Sequence, residues 1–390
     1  MSLIIAIVAI LVLIRLKINI SVSIFIGSII LGLLSLGFPS LIQILIVVSS
    51  LSTLRIVAIV VLAFTLGYSM EYFGLLEKLA LATQKILGNF SVAVLPALLG
   101  FLPMPGGALI SAVMIKDLVK EYNIKAETAT FVNYWFRHLW VATWPLYPSL
   151  IIAMAIVNVN YIEVVEADYI ITLATILVGL YFIKNLISKP KWDFESIKQI
   201  LYSMYPILIV AIFGLILKLD LLLTLSIALI IFYLHKKPNL YDLGSILKKT
   251  IDIKLIVLVM AVMSFRGLIE ETNAAFYFFN HLNSLNIPLP LAAFILSFTI
   301  GFATGIEMSY TSIALPLLTI FTGTASNFNP VNFMLVFAAG FMGVMISPLH
   351  LCLVLTSEYY NAEIKDVYKF LIPSVLFSTL IIITYYFIAV

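Results

Sequence analysis

Gly100-Phe101-Leu102-Pro103-Met104-Pro105-Gly106-Gly107-Ala108-Leu109-Ile110-Ser111 and Gly301-Phe302-Ala303-Thr304-Gly305-Ile306-Glu307-Met308-Ser309-Tyr310-Thr311-Ser312 decide how this chain folds. Each stretch interrupts an apolar run about halfway along, opens on Gly-Phe and closes on a serine. Lipid offers no partner for free backbone N–H and C=O groups, so broken helices persist at membrane depth only where protein or a wet cavity covers them. Two such interruptions at matching places in two halves point to a transport site between repeats. The alternative is a pair of kinked spanning helices, since Gly and Pro are ordinary in those.

Composition fits this reading. The 390 residues are 63% hydrophobic and 11% charged, with a mean hydropathy of +1.16; soluble domains carry about 25% charged residues. The expectation is a polytopic helical protein of the cytoplasmic membrane, surrounded by lipid. A net charge of +3 gives no basis for nucleic-acid binding, and the single cysteine, Cys352, excludes an internal disulfide and any cysteine-based metal cluster. The first apolar run, Leu3 to Ile14, lacks a preceding basic residue and a following cleavage site, so it reads as a retained helix rather than a signal peptide.

Spans of roughly 20 apolar residues fall at 2–14, 20–37 and 41–70, the last too long for one straight helix and beginning with a turn near Pro39. An amphipathic segment at 71–88 precedes a first hairpin at 90–120, a segment at 126–155 broken at Trp144-Pro145-Leu146-Tyr147-Pro148, and a span at 168–187. After a polar linker at 188–199 the order returns. Spans at 200–218, 220–235 and 252–271 lead to an amphipathic segment at 272–286 and a hairpin at 289–322. A segment at 330–357 broken at Ser347-Pro348 and a span at 367–389 close the series. Gly74-Leu75-Leu76-Glu77 answers Gly267-Leu268-Ile269-Glu270, and Pro145 answers Pro348.

The predicted organisation is therefore two repeats, 1–187 and 200–390, each of five spanning helices plus one re-entrant helical hairpin. Scaffold spans would occupy 1–88 and 200–286, and transport hairpins with broken helices 90–187 and 289–390. With the N-terminus outside, eighteen of the 22 Lys and Arg fall in cytoplasmic loops, as the positive-inside rule requires. Five crossings per half is odd, so the halves are inverted and both termini lie outside.

The chemistry-bearing residues cluster at the interruptions. Pro103, Pro105, Gly106 and Gly107 prevent a continuous helix, leaving N–H groups and a positive helix end for an anion, with Ser111 adding a hydroxyl. Thr304, Gly305, Ser309 and Ser312 offer hydroxyls and unwound carbonyls, which predict a Na+ site near Thr304, Gly305 and Ser309. Asn133 and Arg137 share a helical face. From residue 126 a helix rises about 16 Å to Arg137, near the midplane, where a charge is costly and by default functional. Glu307 is its natural partner in a structural ion pair, or else a coupling proton carrier. Thr143, Pro145, Ser347, Pro348 and His350 mark the two helix breaks.

The order of hairpin, broken helix and span, given twice and inverted, resembles the ion transporter superfamily of gluconate permeases, C4-dicarboxylate carriers and divalent-anion/sodium symporters. The segments Pro103-Met104-Pro105-Gly106-Gly107-Ala108-Leu109 and Ser347-Pro348-Leu349-His350-Leu351-Cys352-Leu353 look more closely like the uncharacterised prokaryotic membrane family called domain of unknown function 401. The resemblance implies an elevator-type carrier, in which hairpins and broken helices slide along a scaffold that usually dimerises. Where the divalent-anion symporters carry Ser-Asn-Thr at each tip, this chain has Pro-Met-Pro-Gly-Gly and Thr-Gly-Ile-Glu.

The expected function is secondary active transport of a small organic anion, a carboxylate, coupled to H+ or Na+, with no cofactor and no enzymatic step. Arg137 and the N–H groups of Gly106 and Gly107 would hold the carboxylate. The alternatives are a channel, which needs a continuous polar pore, and an intramembrane enzyme or lipid-handling protein using His138, Glu307 and His350. No hydrolase, metalloprotease or nucleotide-binding motif occurs in the sequence.

Overall fold

The computed structural model describes residues 2–104, 107–186 and 190–390, the side chain of Asn283 aside. Among them the regular structure is helical. The first half runs α1 (Ser2–Arg15), α2 (Ile20–Leu36), α3 (Pro39–Ser49), α4 (Leu51–Tyr72), α5 (Leu75–Leu87), α6 (Ser91–Leu99), α7 (Gly107–Glu121), α8 (Ala126–Arg137), α9 (Pro148–Val157) and α10 (Tyr161–Phe182). The second runs α11 (Phe194–Ile216, its last turn a π-helix), α12 (Leu221–Lys236), α13 (Leu240–Thr250), α14 (Ile253–Glu271), α15 (Ala274–Ser284) and α16 (Leu289–Thr304). It continues through α17 (307–322, with a π-turn at Tyr310–Ala314), α18 (Pro330–Met345), α19 (Leu351–Tyr360) and α20 (Ile364–Ala389). The order of elements repeats one for one.

Local chemistry explains where the boundaries depart from the sequence reading. The 41–70 run divides because Ser50 is extended and its hydroxyl accepts the Thr53 N–H, capping α4, while α3 begins at Pro39. The span expected at 168–187 starts at Tyr161, because Asn160 and Glu163 form a reciprocal capping box. A second such box, Asn239 with Asp242, starts α13, an amphipathic helix absent from the sequence reading. The first broken segment unwinds earlier than its prolines: α8 ends at Arg137 and turns occupy 138–147. Arg137 is thus the last helical residue rather than a mid-helix one.

Among the described residues, five segments are long and apolar enough to cross a membrane: Leu51–Tyr72, Leu75–Leu99, Tyr161–Phe182, Phe194–Ile216 and Ile364–Ala389. Leu75–Leu99 bends at Gly88 between α5 and α6. Outer faces carry exposed large apolar residues such as Ile42, Leu45, Leu177, Ile230 and Leu380, the surface lipid requires. The chain is a multi-pass membrane protein.

The centre is built on α8 and α18, which hold the same place in the two halves. Every residue from Phe333 to Met345 and from Ala129 to Arg137 is buried, as expected of helices packed on all sides. Packing is reciprocal between halves. α2 packs on α14 as α12 packs on α4, α3 on α14 as α13 on α4, and α8 on α20 as α18 on α10. Each of these contacts between the halves thus has a counterpart between the equivalent elements. Each hairpin leans on the buried helix of its own half, α6 on α8 and α16 on α18.

The start of the second half is fastened to the first outside the membrane core. Lys85 lies 2.7 Å from Asp193, whose carboxylate also accepts from the Ser196 hydroxyl and N–H. The Lys85 hydrogen bond, then the Ser196 hydroxyl, hold the Asp193 carboxyl well below its ordinary range, at about 2. A depressed carboxyl stabilises the fold above the unfolded value and loses that contribution as pH falls toward the folded one. Asp193→Asn should therefore melt slightly below wild type from pH 6 to 8, and the gap should close as pH drops below about 4. A gap constant across that range would remove the pair from the stability account.

Candidate functional site

In both halves the broken helix turns back to satisfy the end of the incoming hairpin helix. The last carbonyls of any helix lack partners, and inside a membrane they need protein donors. At the end of α6, the Trp140 indole donates to the Ala97 carbonyl (2.8 Å) and the Trp144 indole to the Phe101 carbonyl (2.7 Å). At the end of α16, the Ser347 hydroxyl donates to the Phe302 carbonyl (2.7 Å), and His350 Nδ1 lies 2.7 Å from the Gly305 carbonyl. The breaks and the tips are thus one structure, with Ser347 and His350 central to it and Pro348 on its exposed side.

Both tips are unwound. Between α6 and α7 the chain leaves the helix through the buried Leu102 and Pro103, and Pro105 and Gly106 lie outside the described residues. The N–H of Gly107, expected to be free for an anion, instead donates to the Met104 carbonyl (3.1 Å), because Gly107 closes a turn as it opens α7. What Gly107 supplies is space. A Cβ there would lie 1.8 Å from Nη2 of Arg137, so the guanidinium rests directly on that glycine. Arg137 is 6% exposed, its Nη2 reaches the Leu102 carbonyl at 3.4 Å, and no carboxylate pairs with it among the described residues. Its own carbonyl accepts from the Tyr147 hydroxyl.

Asn133 lies one turn earlier on α8. Its amide donates to the Ala108 carbonyl (2.9 Å) and the Thr356 hydroxyl (3.2 Å), and its Oδ1 is buried without a partner. Ser111 bonds to carbonyls of its own helix, Gly107 and Ala108. Thr143 pairs with the Thr172 hydroxyl, and Pro145 is buried in the first break.

At the second tip Gly305 takes φ +65°, and a Cβ there would meet backbone atoms of Leu349 and His350 at 2.7 Å. Gly305→Ala should destabilise by more than the roughly 1–2 kcal/mol that a left-handed residue costs, since the opposing atoms are main chain. An unchanged thermal melt would mean that the tip packs elsewhere. The Thr304 and Ser309 hydroxyls sit 2.5 Å apart, with the Ile300 and Ile306 carbonyls as further partners. Together with the Gly305 carbonyl, the oxygens expected to hold Na+ are already engaged within the protein. Ser312 Oγ is buried and unpartnered.

Glu307 makes no contact ion pair with Arg137, although the arginine's charge acts on its carboxylate. Its Oε1 lies 3.5 Å from Nε2 of His138, a residue of the first break. His138 Nε2 is in turn 3.3 Å from His350 Nε2. Three segments thus converge: the first break, the second break and the second tip. Sequence reading placed Glu307 and His350 among the site residues but not His138 or Cys352. The available signal was that both histidines flank the end of the buried helix of their half.

A second group of polar atoms, from α9, α10 and α17, was not legible in the sequence. Asp168 is fully buried and neither carboxylate oxygen has a hydrogen-bond partner among the described residues; Ser149 Oγ and Tyr310 Oη are likewise buried and approach each other without a well-formed bond. Asp168 and Ser149 lie close enough to Tyr310 for charge and dipole to act on its hydroxyl. A cavity of about 720 Å³ is elsewhere again: it opens between α4, α9, α10, α11 and α14 and is lined by Arg55, Glu163, Lys218, Asp220 and Arg266 among others. None of the expected site residues lines it. Arg55 pairs with Asp220 at its wall, and Arg266 donates to Glu270 and to the Ala155 carbonyl. Arg55 and Arg266 are thus each paired with a carboxylate, whereas the Arg137 guanidinium has none in contact among the described residues, the Glu307 carboxylate acting on it only at longer range, so Arg137 is the better candidate for binding an anion.

A family model described as Protein of unknown function (DUF401) matches residues 1–388, and the chain belongs to that family. Among solved structures, the Alcanivorax borkumensis YdaH transporter, whose crystal structure is described as revealing an unusual topology, is similar at a TM-score of 0.60 and 13% identity. The alignment covers 90% of this chain and 88% of that one. At that identity the likeness is one of fold. No curated protein matches.

Proposed function

We propose that this member of the family is a secondary active transporter that carries a small organic anion across the cytoplasmic membrane by an elevator mechanism, coupled to H+ or Na+. The observation that carries the reading is Arg137. A buried guanidinium without a carboxylate is costly, and here it sits where α7 begins. The first-turn N–H groups of that helix and its positive end lie on the same side. A carboxylate docking there would complete a charge-assisted, bidentate contact. Arg137 thus clamps the anion, Asn133 offers further hydrogen bonding, and Glu307, beside His138, is the group that exchanges the coupling proton. Sodium is the alternative coupling ion.

Three further features support the carrier. The reciprocal packing of the halves is what an inverted repeat produces, since each half has an odd number of crossings. The tips and breaks form one interlocked body, α6 to α10 with α16 to α20, while α2, α4, α12 and α14 pack on one another as a scaffold. The neighbouring fold is that of a protein described as a transporter. In this reading both termini lie outside and the scaffold carries a homodimer contact.

The test is uptake into proteoliposomes from a panel of organic acids, with and without sodium and with an imposed pH gradient. Arg137→Ala serves as the internal control. Accumulation of at least one carboxylate that collapses in Arg137→Ala is expected. Uptake indifferent to Arg137 would end the anion-clamp reading, and currents far above carrier turnover would favour a channel.

A further inference from the structure

We propose that His138, His350 and Cys352 form a binding site for a transition-metal dication of the zinc class, with Glu307 as a fourth ligand. Nδ1 of His138 lies 2.7 Å from the Tyr134 carbonyl, and Nδ1 of His350 lies 2.7 Å from the Gly305 carbonyl. A carbonyl cannot donate, so each Nδ1 carries the proton and each Nε2 of the neutral rings presents a bare lone pair. Those two lone pairs face each other at 3.3 Å. Two acceptors in a buried contact repel unless a cation lies between them. The geometry suits a metal: two nitrogens at about 2.0–2.1 Å from a tetrahedral ion stand roughly 3.3 Å apart. A ligating histidine whose other nitrogen donates to a backbone carbonyl is also the usual outer-shell arrangement.

The remaining ligands are within reach of small side-chain adjustments. The thiol of Cys352 and one ring nitrogen of each histidine all lie within 4.8 Å of one another. Glu307 is not part of that close group, but its Oε1 is 3.5 Å from His138 Nε2 and would turn in to complete the set. Two imidazoles, a thiolate and a carboxylate make a mixed N, S, O set, which zinc tolerates and the hard cations Ca2+ and Mg2+ do not prefer. Both histidines are about 95% buried, so the site is dry apart from the Glu307 side. Its ligands come from both halves, so a bound ion ties the first break to the second. Because metal and proton compete for the same lone pairs and carboxylate, a loaded site would arrest the proposed transport cycle. The binding claim itself is independent of that cycle, and its test reads the metal directly.

The probe is Co2+ added to chelator-treated purified protein. One ion per chain is expected, with the visible absorption of a tetrahedral cobalt and a thiolate-to-cobalt charge-transfer band. Cys352→Ser should keep the visible absorption and lose the charge-transfer band. His138→Asn and His350→Asn should each weaken binding by more than about 100-fold, beyond the 10–100-fold typical of an outer-shell change. Zn2+ should displace the cobalt from wild type and raise its melting temperature. Sub-stoichiometric binding, wild-type affinity in either asparagine variant, or a charge-transfer band that survives Cys352→Ser would each overturn the site. Should the asparagine variants fail to fold, the Cys352→Ser spectrum decides alone.

Discussion

Gly107→Ala should abolish anion binding almost as completely as Arg137→Ala while leaving the fold intact. The added methyl would stand 1.8 Å from Nη2 of Arg137, so the guanidinium must leave its place. The opposing atom is the far end of a flexible side chain, and alanine favours a helix more than glycine does, so the stability change should be small or favourable. Loss of one partner from a buried charge-assisted contact costs about 2–5 kcal/mol, roughly a 30-fold to several-thousand-fold loss of affinity. Ligand-induced thermal stabilisation measures this: a carboxylate that raises the melting temperature of wild type should do nothing for Gly107→Ala or Arg137→Ala, and the double variant should be no worse than either. Arg137→Lys should recover little, because an ammonium cannot reproduce the planar fork. Full ligand stabilisation in Gly107→Ala would show that the guanidinium does not act from that position.

The same pair of residues shows what the sequence made legible and what it did not. Gly and Pro at the tips announced the interruptions, because those residues alter the backbone itself. Arg137 announced itself by cost, since a charge within an apolar segment needs a reason. Of the two roles left open for Glu307, a contact ion pair with Arg137 is not formed, although the arginine's charge still acts on its carboxylate; separation along the chain does not encode which of several nearby groups a carboxylate touches. Glu307 turns to His138 instead. The N–H of Gly107 was assigned to an anion, yet a local turn to Met104 takes it. Local hydrogen bonds compete with ligand contacts at any helix start, and composition is blind to the outcome. The amphipathic helix α13 was missed because its run is short and its apolar face narrow, although the Asn239 and Asp242 capping signature was present. Asp168 was passed over because it stands near a span end, where acids are ordinarily solvated.

Asp168 carries the other large expected effect. Both of its oxygens are buried and neither has a partner among the described residues, with the Ser149 and Tyr310 hydroxyls nearby and close to each other. A buried carboxyl with neither donor nor cation must hold its charge at a cost of several kcal/mol or take up a proton, which at neutral pH also costs free energy, so the site carries more strain than most single substitutions change. Removing the ionisable group while keeping its shape should therefore relieve the protein: Asp168→Asn is expected to melt above wild type, and Asp168→Glu below it, because the longer acid has no space in a packed interior. Ser149→Ala or Tyr310→Phe alone should cost no more than about 1–3 kcal/mol, and the two together should be near neutral, because the double change removes both buried hydroxyls. The opposite ranking, with Asp168→Asn clearly less stable than wild type, would show that the carboxylate has a cationic partner in the membrane. Sodium dependence of the wild-type melt, lost in Asp168→Asn, would then place the coupling ion between α9, α10 and α17 rather than at the Thr304 tip.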